Sequence, residues 1–220
     1  MTQIEKNLKG LKESTVEMIT LAKHQLQKSK IAFLNKDEDL AEEITISEKH
    51  LNNCELKIDR DCENIFALYN PVASDLRLVI AILKVISNVE RIGDHADGIA
   101  GYISQMDKKF DEELLIKLRF HEMFELAFQM LDMIEESFGN EDVTLARKVF
   151  KLDKSLNEIK LSAPDVISDY LQVNFQITKQ ALFLFSTIRK LERVGDLSKN
   201  IAEQLIFYTE AKVVKHKRKK

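Results

Sequence analysis

Glu90-Arg91-Ile92-Gly93-Asp94 returns 102 positions later as Glu192-Arg193-Val194-Gly195-Asp196, and Ile99-Ala100 returns as Ile201-Ala202. A repeat displaced by almost half of a 220-residue chain asks the polypeptide to build one architecture twice. Each half is near the lower end of ordinary domain size. The kind of architecture follows from turn chemistry. With 6 Gly, 2 Pro and no Trp, the chain is poor in residues that reverse its direction. Apolar positions recur at helical spacing almost everywhere and at strand spacing almost nowhere. Long helices joined by few short loops are expected.

The periodicity and the breaks between runs predict six helices. The first spans about 3–35 and ends at the polar stretch Asn35-Lys36-Asp37-Glu38-Asp39. The second spans about 38–69 and stops at Asn70-Pro71, where Asn70 can cap and Pro71 suits the first position of the third helix. The third runs on to about 106, before a charged connector over 107–111. The fourth covers about 111–138 and halts at Phe138-Gly139-Asn140. A fifth runs over about 141–172 with a kink expected at Pro164. The sixth covers about 175–211. The fold class expected is all-α: two tandem antiparallel three-helix bundles over 1–107 and 108–211, then a basic tail over 212–220.

Composition narrows the function. Hydrophobic residues at 45% and charged residues at 31% describe a chain that buries a core. A net charge of −3 gives no global attraction to nucleic acid. The start, Met1-Thr2-Gln3-Ile4-Glu5-Lys6-Asn7, is charged where an export signal needs an apolar run. The most apolar stretch, Ala181 to Phe185, is far too short to span a bilayer. Cys54 and Cys62 lie eight residues apart in one helical pattern, too far along the axis to bond each other. They read as reduced thiols of a cytoplasmic protein. The terminal run Lys215-His216-Lys217-Arg218-Lys219-Lys220 reads as a solvated end, or as a weak attraction for anionic lipid or an acidic partner.

Each copy of the repeat puts a Glu and an Asp four residues apart, so both carboxylates leave one helical face a turn apart. On the third helix Val79, Leu83 and Ile86 lead into Glu90, Asp94 and Asp97 along one stripe. On the sixth, Ala181, Phe185 and Ile188 lead into Glu192 and Asp196, then Lys199 and Glu203. A stripe that begins as core thus becomes a row of acids without leaving its face. Arg91 and His95 point elsewhere on the helix. Glu48, Asn52, Glu55 and Asp59 form a matching line on the second helix, as Asp153 and Asn157 do on the fifth. Antiparallel packing can set Glu48 against Glu90 and Asp94, and Asp153 against Glu192 and Asp196. Carboxylates converging from two helices suit hard cations such as Mg²⁺, Mn²⁺, Ca²⁺ or oxygen-bridged iron better than a Cys/His zinc site. Acids at this spacing also describe an ordinary solvated face, and both readings stay open on the residues alone. Gly93 and Gly195 cost roughly 1 kcal/mol each inside a helix. Close helix approach beside the acids, or room for a hydrated cation, would explain them.

Catalytic patterns are absent. None of His24, His50, His95, His121 or His216 is preceded by Glu at the Glu-x-x-His spacing of a di-iron oxidase. The chain has no phosphate-cradling glycine loop, Cys-x-x-Cys or nucleophile elbow. A non-enzymatic protein is expected.

Pro71-Val72-Ala73-Ser74-Asp75-Leu76-Arg77, Glu90-Arg91-Ile92-Gly93-Asp94-His95-Ala96, Leu191-Glu192-Arg193-Val194-Gly195-Asp196 and Asn200-Ile201-Ala202-Glu203 together resemble the PhoU family, over essentially the whole chain. The resemblance implies paired three-helix bundles, often dimeric, with metal clusters on carboxylate motifs. Glu90, Asp94, Glu192 and Asp196 fall on the family's ligand motif, and Glu48 and Asp153 on the first acid of its partner motif. Asn52 and Asn157 stand where the second acid of that motif is expected, and join Asp97 as additional candidate ligands. The second half lacks the Pro-x-x-Ser-Asp-Leu-Arg element, with Phe175 where a helix-opening Pro is expected. The implied cofactor is a metal ion (iron, manganese, magnesium or zinc). The implied function is negative regulation of phosphate uptake and phosphate-starvation signalling, as an adaptor between a phosphate ABC transporter and a membrane histidine kinase. A homodimer is expected, cytoplasmic or held through its partners at the inner face of the plasma membrane, with no nucleic-acid partner. The rival functions are a metal-free scaffold for basic partner helices and a metal-dependent phosphohydrolase.

Overall fold

The computed structural model describes residues 2–213. Among these residues seven α-helices follow one another: α1 Gln3–Asn35, α2 Glu38–Tyr69, α3 Ala73–Ala100, α4 Glu112–Lys117, α5 Phe120–Asn140, α6 Val143–Leu171 and α7 Thr178–Glu210. No strand occurs among the described residues. Side-chain caps fix several starts. Thr2 and Glu5 form a reciprocal capping box on α1. The carboxylates of Asp37, Asp111 and Asp142 accept from the backbone N–H three residues on, opening α2, α4 and α6.

α1, α2 and α3 pack on one another as the first bundle, and α5, α6 and α7 as the second. The bundles join through α3 against α7 and α1 against α5, which leaves α2 and α6 outermost. One continuous apolar core runs through both. Phe33 at the end of α1 stacks on Phe110 of the connector, centroids 4.1 Å apart, and on Phe120 at the head of α5, 5.5 Å apart. Along the α1–α5 seam Lys12 pairs with Glu141 at 2.7 Å, and Lys23 with Asp132 at 3.0 Å and with Glu135. At the α3–α7 seam Lys190 lies over the Tyr102 ring and Lys84 over Phe207.

Four boundaries differ from the sequence expectation. The predicted fourth helix is two, because Arg119 takes a left-handed φ of 51°. The buried residues Leu114, Leu115 and Leu118 lie roughly half a turn out of phase with the buried set from Phe120 to Ile134 on a continuous helix. The break re-aims the second set inward. Asn70 ends α2 in the left-handed region at φ 45° rather than opening α3, whose N-cap is Val72 without a side-chain bond. α3 stops at Ala100, and Ile103–Gln105 follow as a single 3₁₀ turn that buries Ile103. Phe175–Ile177 likewise form a 3₁₀ turn before α7. Pro164 lies inside α6, which continues through it as one element. The basic run from Lys215 to Lys220 lies outside the described residues.

Candidate metal centre

Glu48 of α2 meets Glu90 and Asp94 of α3, one carboxylate oxygen from each lying within 4.8 Å of the others. Among the described residues this is the one place where three such ligand groups come that close. Helix periodicity explains the convergence: Glu90 and Asp94 extend the face that upstream buries Val79 and Ile86, and that face is turned toward α2. Gly93 lies between the two acids, and a Cβ there would overlap Leu51 Cδ2 and come 2.7 Å from Glu48 Oε2. The missing side chain lets α2 lie directly over the acidic pair. Close approach is therefore what the glycine provides.

Glu48 is only 8% exposed. Gln25 of α1 donates its Nε2–H to Glu48 Oε2 at 2.8 Å, and Oε1 is buried with no hydrogen-bond partner among the described residues. A buried carboxylate oxygen without a partner costs free energy that a cation would recover. One turn further along α2, Asn52 Oδ1 is also buried and unpartnered. Asp97 is engaged by Thr45, whose hydroxyl donates at 2.7 Å. Burial, reinforced by Asp94, Glu90 and Asp97 and opposed by the Gln25 hydrogen bond, pushes the Glu48 carboxyl up to about 7. Burial and the neighbouring carboxylates also raise Glu90 and Glu55, with the Arg91 charge opposing the rise at Glu90. No lysine, arginine or histidine among the described residues is ion-paired to Glu48, Glu90 or Asp94. His95 belongs to another environment: burial, Lys190 and Arg91 hold its imidazole down to about 4. Oxygen donors only, acids with no ion-paired cation and orphaned buried acceptors make this donor set fit a hard cation.

The second half has the same skeleton and different contents. Leu156 and Asp153 stand over Gly195 as Leu51 and Glu48 stand over Gly93. Yet Lys199 Nζ lies 2.9 Å from Asp153 Oδ2 and 2.7 Å from Asp196 Oδ1. Lys160 Nζ is 3.3 Å from Glu192 Oε1, and Arg193 also reaches Asp196 at 3.3 Å. Asp153, Glu192 and Asp196 thus lie on the expected helices, each already paired to a cationic side chain. Asn157 is exposed.

Sequence reasoning missed Gln25 and the pairing role of Lys199 and Lys160. The signals were present. Gln25 is a polar residue on the stripe Met18, Ala22, Leu26 and Ser29 that α1 buries. Lys199 and Lys160 stand where register with the first half gives Asp97 and Glu55.

The fold and this site define a class: a duplicated all-helical protein with a carboxylate cluster between the second and third helices of its first bundle. The sequence profile of the PhoU domain matches residues 15–103 and again 120–205. The chain belongs to the PhoU family. It is 29% identical over 97% of its length, and 87% of the relative's, to the phosphate-specific transport system accessory protein PhoU of Edwardsiella tarda. It is 30% identical to the PhoU homolog of Aquifex aeolicus, covering 96% of this chain and 95% of that one. The crystal structure of PhoU from Pseudomonas aeruginosa superposes with a TM-score of 0.89 at 27% identity, over 96% of this chain and all 100% of that one. The phosphate transport system regulatory protein PhoU of Streptococcus pneumoniae gives 0.82 at 26% identity, over 96% and 99%. No helix among the described residues is long and apolar enough to cross a membrane.

Proposed function

We propose that this chain is an accessory regulator of a phosphate transport system. The supporting observation is likeness over the full length: relatives bearing that description align with 97% of the chain and 87–88% of their own length. In this reading it acts as a non-catalytic adaptor between a phosphate ABC transporter and a membrane histidine kinase, as a homodimer in the cytoplasm, and keeps starvation signalling off when phosphate is plentiful. A regulator of this kind works by contacting one state of its partner better than another.

The first-bundle cluster is the proposed metal centre. Glu48, Glu90 and Asp94 would hold the ion, with Asn52 as a neutral oxygen donor and Gln25 orienting Glu48. The ion would supply positive charge that binds α2 to α3 and orders the outer face of the bundle. The unpartnered Glu48 oxygen supports this over a metal-free scaffold, because a basic partner helix could reach exposed Asp94 but not a carboxylate 8% exposed.

Deletion of the gene, with a phosphate-starvation reporter followed in phosphate-rich medium, tests the regulatory role. Constitutive reporter expression, reversed by the wild-type chain, is expected. A normal, repressed reporter in the deletion strain would refute it. Tag-free protein should carry iron, manganese, magnesium or zinc that is lost on Glu90→Ala/Asp94→Ala. Metal-free wild type that still binds transporter or kinase would favour the scaffold reading, and metal-dependent phosphatase turnover the hydrolase.

A further inference from the structure

We propose that Lys199, assisted by Lys160, occupies the cation position of the second half, so that the chain carries a metal centre in its first half alone. The inference rests on reading Glu48, Glu90 and Asp94 as a metal centre and adds that its duplicate has been converted to an internal ion-pair network.

The two halves share one arrangement around their glycines, so they can be compared position by position. Gly93 is approached by Leu51, Glu48 and Gln25; Gly195 is approached by Leu156, Asp153 and Met130. Within that shared frame two positions reverse their charge. Asp97 in the first half corresponds to Lys199 in the second, and Glu55 to Lys160. Two acids have become two cations. Glu48 is replaced by the shorter Asp153, and the amide partner Gln25 by the thioether Met130, which offers no comparable donor. Asn52, with its buried unpartnered oxygen, is replaced by exposed Asn157.

The geometry agrees with the substitutions. The Lys199 ammonium bridges Asp153 of α6 and Asp196 of α7 at 2.9 and 2.7 Å, the same helix pair that a shared ion would link. Lys160 takes Glu192 at 3.3 Å. An ammonium carries three donors and no lone pair, so it satisfies carboxylates and cannot coordinate a metal. A divalent ion entering here would have to displace Lys199 from both acids and bring two positive charges beside Lys160, Lys199 and Arg193. Charge repulsion and the lost ion pairs oppose that entry. In the first half, no cationic side chain is paired to the cluster acids, among the described residues.

The test uses the full chain, stripped with chelator and reloaded with Mn²⁺, the bound metal being counted after gel filtration. Glu90→Ala/Asp94→Ala should bring Mn²⁺ content to background, whereas Asp153→Asn/Asp196→Asn should leave it at the wild-type value. In the silenced Glu90→Ala/Asp94→Ala chain, Lys160→Glu/Lys199→Asp copies Glu55 and Asp97 into the second half. That chain should regain Mn²⁺ and show an Mn²⁺-dependent rise in Tm that its parent lacks. If the swapped chain does not fold in chelator, Lys199→Met in the silenced background gives the same readout with one charge changed.

Mn²⁺ retained by the silenced chain and lost on Asp153→Asn/Asp196→Asn would overturn the inference. So would failure of both folded lysine variants to gain Mn²⁺. A wild-type chain that never binds Mn²⁺, or any of the other candidate metals, overturns the metal reading of the first half. The lysine variants then decide the second-half claim by themselves.

Discussion

Gln25 holds Glu48: its amide donates to Glu48 Oε2 at 2.8 Å and to the Ile44 carbonyl at 3.3 Å, so α1 fixes the orientation of a carboxylate carried by α2. All three groups are buried within the first bundle. A hydrogen bond to a charged group contributes about 1.5–3 kcal/mol, and partners that orient a metal ligand typically matter by about 10–100-fold in affinity.

Gln25→Met, which installs the residue found at the matching place in the second half, should therefore weaken Mn²⁺ binding by about 10-fold or more. Fluorescence or calorimetric titration would measure it. Unchanged affinity in a folded Gln25→Met chain would mean that Glu48 needs no help to point at the ion.

The chelated protein should lose stability as pH rises. Glu48 sits at about 7 in the folded chain against an ordinary 4.5, so the folded state binds its proton more tightly across that window. The associated stability is complete below about 4.5 and is lost as pH climbs through about 7. Glu90 and Glu55, also raised, act in the same direction. In EDTA, Tm should fall as pH climbs through that window, and Glu48→Gln should flatten much of the fall. A Tm that rises over this range in the wild type would contradict the assignment.

Much of this fold and site is legible in the amino-acid sequence alone. Helical spacing and scarce Gly and Pro dictated the bundles, because amphipathic helices this long have few other ways to bury their apolar stripes. The repeat gave Glu90 and Asp94, since four-residue spacing alone sets both on one face. Glu48 needed only the added assumption that neighbouring helices run antiparallel. What stayed hidden depended on tertiary register. The Arg119 break is a change of phase between two apolar sets, visible in the sequence only once both are known to be buried. Gln25 acts across a helix interface that local pattern does not specify. Lys199 looked like one more member of an acidic stripe, and its bridging role depends on where α6 places Asp153.

Glycines at different places should respond oppositely to alanine. Gly93→Ala sets a methyl against Leu51 and 2.7 Å from Glu48 Oε2, an overpacking that typically costs about 1–3 kcal/mol. Gly10 lies within α1 with nothing within 4 Å of the place its Cβ would take. There the better helix propensity of alanine should stabilise the chain by about 0.5–1 kcal/mol. Urea denaturation of both variants measures the contrast. A neutral Gly93→Ala would show that Leu51 and Glu48 can withdraw freely, and would remove the reason for a glycine at the centre of the repeat.

Phe33 should matter to both halves at once. It is 1% exposed, and its ring stacks on Phe110 and Phe120, so one side chain of the first bundle fills the head of the second. Truncating a buried phenylalanine costs about 3–5 kcal/mol. Phe33→Ala should therefore lower the denaturation midpoint by that equivalent. The transition should stay single, because α3 still packs along α7 and the core remains continuous between the bundles. Helicity by circular dichroism reports the whole chain, and the fluorescence of a Phe150→Trp variant, whose indole is the chain's only one and sits on the outer helix α6, reports the second half. The two curves should coincide in Phe150→Trp, with or without Phe33→Ala. Curves that separate on the Phe33 substitution would mean that the aromatic stack, rather than the α3–α7 seam, is what makes the two bundles unfold together.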